Sequence, residues 1–122
     1  MSQSANDLLV RLLLPEGILD YFDVTHVHQD HKDIWIYLEE LNIIPKEYST
    51  DKLVSKGFMP ESSIQDFPLR GKAVYLYVKR RRWLNTSNGE IVTRNWDMVS
   101  EGTRMTTEFA SFLKALLGYC PR

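Results

Sequence analysis

A single cysteine, Cys120, stands near the end of this 122-residue chain. It leaves no pair for an internal disulfide and none for a Cys-x-x-Cys zinc knuckle. Long apolar runs are also missing. The longest one near the start, Leu8-Leu9-Val10-Arg11-Leu12-Leu13-Leu14, is interrupted by an arginine and stopped by Pro15, too short to span a bilayer. Acidic Asp7 precedes it where a secretory leader carries basic residues, and no small-residue cleavage site follows. The expectation is a cytoplasmic protein with no membrane partner.

Catalytic signatures are equally sparse. No glycine-rich phosphate loop occurs, and the carboxylates, among them Glu39, Glu40, Asp66 and Asp97, include no pair fixed in a recognisable catalytic context. His26, His28 and His31 give His-x-His-x-x-His, which has the look of metal spacing. His26 and His28 share a strand face, however, while His31 falls in a turn and no cysteine supports them. They read as surface and turn histidines. No enzyme, cofactor or metal is therefore expected.

What the chain does have is a strong internal charge asymmetry. Residues 1–69 hold five Lys/Arg against twelve Asp/Glu, and residues 70–122 hold ten against four, although the net charge is only -1. With 43% hydrophobic and 25% charged residues, the length fits one domain over residues 1–122, made of an acidic scaffold half and a basic half. A basic field of this kind suits a polyanion such as nucleic acid, whatever the overall balance. Clustered surface charge of no further meaning is the alternative.

Local patterns place the charge on elements. Ser4 or Asn6 can cap a short helix on which Leu8, Leu9, Leu12 and Leu13 recur at helical spacing, with a further helical turn at Ile18-Leu19. Residues 22–28 and 34–38 read as a β-hairpin with Ile34, Ile36 and Leu38 toward the core. Residues 39–51 read as an irregular connection and 52–58 as a short strand. Residues 64–68 lead through Arg70-Gly71-Lys72 into the strongest strand, 73–83. An Asn-Gly turn at 85–89 then returns the chain along 90–96. Thr106 is an N-cap with Glu108 in the first turn, and Phe109, Phe112, Leu113, Leu116 and Leu117 form an apolar stripe ending near Gly118. That stripe packs on its own sheet or docks a partner. The fold class is α+β: a small antiparallel sheet with a long basic hairpin, a short N-terminal helix and a C-terminal amphipathic helix.

Along 73–83 a period of two puts Val74, Leu76, Val78, Arg80 and Arg82 on one face and Tyr75, Tyr77, Lys79, Arg81 and Trp83 on the other. The distal end thus carries cations on both faces, which a buried sheet does not tolerate unpaired. It projects into solvent or onto phosphate, and a two-stranded ribbon fits a major groove. Alternatively, the arginines form a solvated edge that blocks aggregation, with Trp83 and Trp96 pairing across the strands.

The segment IQDFPLRGKAVYLYVKRRRW, residues 64–83, resembles one found in a family of insertion-sequence transposases, where a D-x-P lead enters a basic strand ending in R-R-aromatic. The chain also resembles the stand-alone N-terminal-region proteins encoded upstream of a separate catalytic frame, well over residues 50–117 and loosely before. In that family the region is a zinc-ribbon-like DNA-binding unit, followed by a helix-turn-helix and a DDE catalytic domain. Where relatives carry a Cys-x-x-Cys knuckle, this chain has Asn85-Thr86-Ser87-Asn88, poor zinc ligands. The resemblance implies a non-catalytic accessory that binds double-stranded DNA at the element's terminal inverted repeats and works with a separately encoded DDE transposase subunit. Lys79, Arg80, Arg81, Arg82 and Arg94 are the expected contacts, flanked by Arg70, Lys72 and Arg104, with Tyr77, Trp83 and Trp96 beside sugars or bases. Two alternatives stand: docking of the catalytic subunit without DNA contact, and single-strand binding with Tyr75, Tyr77 and Trp83 as stacking platforms.

Overall fold

The computed structural model describes residues 5–102 and 106–118; Ser4, Arg104 and Cys120 lie outside the described residues. Helix α1 (Ala5–Leu13) leads through a 3-10 turn (Ile18–Asp20) to β1 (Phe22–Gln29) and β2 (Asp33–Glu40). A second 3-10 turn (Lys46–Tyr48) precedes β3 (Leu53–Phe58), β4 (Ser62–Leu69), β5 (Lys72–Lys79), β6 (Arg81–Asn85) and β7 (Glu90–Val92). Helices α2 (Trp96–Gly102) and α3 (Thr107–Leu117) follow. No helix among the described residues is long and apolar enough to cross a membrane.

The α+β class is as expected, but the sheet is not the single antiparallel one. The strands of the described residues form two sheets. The larger has the order β1-β2-β5-β4, and its central pair β2 and β5 runs parallel, from Asp33 opposite Ala73 to Glu39 opposite Lys79. The smaller is antiparallel, in the order β3-β6-β7. Strands of the acidic half thus form a common sheet with a strand of the basic half.

Alternation decides which face of the larger sheet is covered. Ile36, Leu38, Ile64, Val74, Leu76 and Val78 are buried on one side, as the period of two requires. Over that side lies α3, whose Phe109, Phe112, Leu113 and Leu116 complete the cluster together with Ile18, Phe22 and Trp96. The stripe on α3 is therefore spent within the chain and is not free to dock a partner. The ends of α3 follow from its sequence: Thr106 Oγ1 accepts the Phe109 N–H at 3.1 Å, and Gly118, at φ 77, closes the last turn by donating to Lys114 O. Gly17 has φ 95, and a Cβ built there would stand 3.3 Å from the Phe109 ring, so only glycine fits both the backbone and the contact.

The strand expected over 73–83 is broken at Arg80. Before the break Val74, Leu76 and Val78 are buried; after it Trp83 and Asn85 are, with Arg81 half-buried. The alternation slips by one residue at the bend, and the chain leaves the larger sheet for the smaller. Met59 N–H donates to Arg80 O at 2.7 Å there, which fixes the corner to the end of β3. Residues 62–69 also form a strand, not only a lead; Pro68 is tolerated because β4 is an edge. The return strand is short, Glu90–Val92, and Trp96 begins α2 instead of continuing it.

Candidate nucleic-acid interface

Arg94 is the first expected contact that the structure relocates. Its side chain is 5% exposed and its Nε donates to Glu40 Oε2 at 2.8 Å, while Glu40 itself is 1% exposed. Nη2 donates to Ile43 O at 2.5 Å. The guanidinium carbon stands 5.2 Å from the Tyr21 ring centre, 5.6 Å from Trp83 and 5.7 Å from Trp96, within cation-π range. A guanidinium so enclosed does not reach phosphate. Burial pushes the Glu40 carboxyl above its ordinary range, against the opposing pull of Arg94 and of the Arg81 N–H.

Trp83 and Trp96 are corrected for the same reason. Both are buried, at 0% and 3% exposure. Neither pairs with the other across strands: Trp83 lies opposite Ser55 and Val92, whereas Trp96 stacks on Phe22 at 5.7 Å and meets Tyr21 edge-on. Trp83 Nε1 donates to Asn42 Oδ1 at 2.9 Å, satisfying its polar tip. A buried Trp83 offers no stacking platform to a single strand. Arg81 is committed to the fold as well. Its backbone N–H donates to Glu40 Oε1, its Nε to Glu40 O, its Nη1 to Ser55 Oγ, and its guanidinium covers the Phe58 ring at 4.6 Å.

The remaining cations fall into two groups. Arg70 occupies the β4–β5 turn with a left-handed φ of 53 and is exposed. Lys72 Nζ donates to Gln29 Oε1 at 3.1 Å and Asp30 O at 2.9 Å. The eight residues of β5, at ~3.3 Å each, set this end roughly 26 Å from the bend. At the other end are Lys79, Arg80 and Arg82. Lys79 lies opposite Glu39 on the outer face of the larger sheet, near Glu61 and His26. That face carries Tyr77 as well, stacked on Tyr37 at 5.1 Å, with His26 on the far side of Tyr37 at 5.4 Å. His28 stacks on Trp35 at 5.1 Å. His26 and His28 thus pack on rings while His31 lies exposed in the β1–β2 turn, and among the described residues no group of His, Cys, Asp and Glu could hold a metal ion.

Arg82 points the other way. Because Trp83 and Asn85 face inward, Arg82 and Leu84 face outward on the smaller sheet. Leu84 pairs with Val54 and Ile91, which are exposed at 48% and 49%. The β3–β6 register breaks after Ser55 opposite Trp83 and resumes at Phe58 opposite Arg81, so Lys56 and Gly57 together span the stretch across from Arg82. Gly57, at φ 76, is the extra residue of a bulge, and a Cβ there would stand 3.7 Å from Arg82 Nη2. Lys52, exposed, precedes the same strand. Sequence reasoning missed Lys52 and Lys56, which sit in the acidic half and reach the basic patch only through strand pairing. Like charges placed side by side on a sheet oppose its folding, and among the described residues no carboxylate lies within ion-pair distance of Lys56, Arg80 or Arg82. The outer face of the smaller sheet is therefore an anion-ready surface: an apolar row of exposed Val54 and Ile91 about a half-buried Leu84, bordered by a cationic row.

No family model, curated protein or solved structure matches this chain.

Proposed function

We propose that this protein is a non-catalytic DNA-binding accessory that lays the outer face of its smaller sheet against a duplex. The observation that carries the reading is that the β3–β6 bulge sets Lys56 across from Arg82, next to Arg80 in the bend, and that among the described residues none of the three is in a salt bridge. Phosphate relieves their repulsion, and counterion release supplies affinity. The apolar row beside them suits sugars and thymine methyls, which gives the face a means of reading sequence as well as charge. The likeness of residues 64–83 to an insertion-sequence transposase segment extends the proposal to its target, the element's terminal inverted repeats, and to a separately encoded DDE transposase as its working partner.

Four phosphate contacts, by Lys52, Lys56, Arg80 and Arg82, give log affinity against log salt a slope near -3.6 at about -0.9 per contact. The test is fluorescence anisotropy of the protein with a duplex carrying the inverted repeat that flanks its reading frame, and with a shuffled duplex of equal length. Tighter binding to the repeat supports end recognition. Equal binding to both leaves DNA binding without the target, and no binding to either at moderate salt overturns the proposal in favour of an acidic protein partner for this face.

A further inference from the structure

Helix α1 is nine residues long, shorter than a helix that holds in water on its own, yet Leu8, Leu9, Leu12 and Leu13 are exposed at 52%, 54%, 73% and 45%. This is the reverse of what an amphipathic helix does when its own domain covers it. The stripe borders a groove of about 510 Å³ between α1, the edge strand β4 and α3. Phe67, 78% exposed, stands on its rim. Stripe, groove and Phe67 make one continuous apolar surface of a kind that marks a contact site.

The charges on that surface say what covers it. Among the described residues the groove walls carry Asp66 and Glu108 and no lysine or arginine; Arg11 lines the neighbouring cavity, which Glu108 also borders. The two carboxylates are close enough for Glu108 to add to the burial that pushes the Asp66 carboxyl up. On α1 the cation is Arg11, three positions after Leu8 and hence on the flank of the stripe. Its own partner is a loose one, Asp20 at 3.7 Å with both side chains about half exposed or more. The helix therefore offers leucines and an exposed, loosely paired cation, and the groove beside it offers apolar walls and two carboxylates that form no salt bridge among the described residues.

We propose that α1 of a second copy of this chain occupies the groove, its leucine stripe against Phe67 and its Arg11 against Asp66 and Glu108, in a two-fold dimer in which each copy gives a helix and receives one. A surface that holds both the insert and its receptor is self-complementary, the condition for an isologous interface. The acidic walls disfavour an anionic membrane surface, which selects helices rich in Lys and Arg. The dimer stands independently of DNA binding, since none of its residues lies on the smaller sheet.

Sedimentation equilibrium of the full chain from 1 to about 100 μM tests it. The expected result is a dimer, with Leu12→Glu monomeric over that range and unchanged in far-ultraviolet circular dichroism, because Leu12 is the most exposed of the four leucines. Arg11→Glu weakens dimerisation about 10-fold or more, and adding Glu108→Arg restores it. A monomeric wild type overturns the proposal. So does a dimer that survives Leu12→Glu, or an Arg11→Glu defect that Glu108→Arg does not rescue.

Discussion

Replacing Arg94 with methionine keeps much of the side chain's length and removes its charge, and the cost can be worked from what is left behind. Glu40, at 1% exposure, loses its buried salt-bridge partner, and stranding one member of a buried pair costs about 3–5 kcal/mol. The Ile43 carbonyl loses a donor, and the rings of Tyr21, Trp83 and Trp96 lose a cation, while methionine restores part of the packing. A net loss of about 3–4 kcal/mol is expected, against a total stability on the order of 6–18 kcal/mol at ~0.05–0.15 per residue. Thermal unfolding by circular dichroism at neutral pH should show the midpoint falling by roughly 10–20 °C. Burial already holds the Glu40 carboxyl up, and losing Arg94 raises it further. A folded-state value above the unfolded one means that the native state binds the extra proton, so the variant's stability must decline as pH rises through that window. Adding Glu40→Gln should recover part of the loss, since no buried charge then remains. A shift under about 3 °C, together with a flatter salt dependence of DNA binding, would refute the placement of Arg94 in the core and return it to the interface.

Other variants probe other parts of the frame. Asp66→Asn should raise the neutral-pH melting point. Desolvation and Glu108 hold the Asp66 carboxyl above its ordinary 3.8, so its ionisation costs stability as pH rises through the elevated value; a pH-stability profile identical to wild type would contradict this. Gly17→Ala should cost about 1–3 kcal/mol in urea denaturation, because alanine disfavours φ 95 and its Cβ meets the Phe109 ring. Thr106→Ala should cost about 1 kcal/mol by the same method through loss of the cap to Phe109 N–H, and a neutral result would mean that another group satisfies that donor.

The elements set by local pattern were legible. Alternation in Val74, Leu76 and Val78, the β1–β2 hairpin and the capped α3 stripe all depend on neighbours within a few positions, and all are found. The bend at Arg80 was not legible, because no glycine or proline marks it and a run of cations reads as a solvated strand. Lys72, in contrast, is a cation whose local setting gave no sign that a hairpin 42 residues away holds it. Which of the expected contacts are exposed was legible only in part. Arg80 and Arg82 remain available, while Arg94 and Arg81 are held by Glu40, 54 and 41 residues distant. Nothing in a single sequence pairs such residues. Lys56 was lost for the complementary reason: it joins Arg82 only through the pairing of β3 with β6, from within a half of the chain whose composition is acidic.

The most direct test of the account is the salt dependence of duplex affinity for wild type and for Lys56→Ala/Arg82→Ala, with circular dichroism confirming that both are folded. Two phosphate contacts removed at about 0.9 each should flatten the slope by about 1.8, with little change in melting temperature because both side chains are exposed. An unchanged slope in a folded variant would contradict the claim that the outer face of the smaller sheet meets DNA.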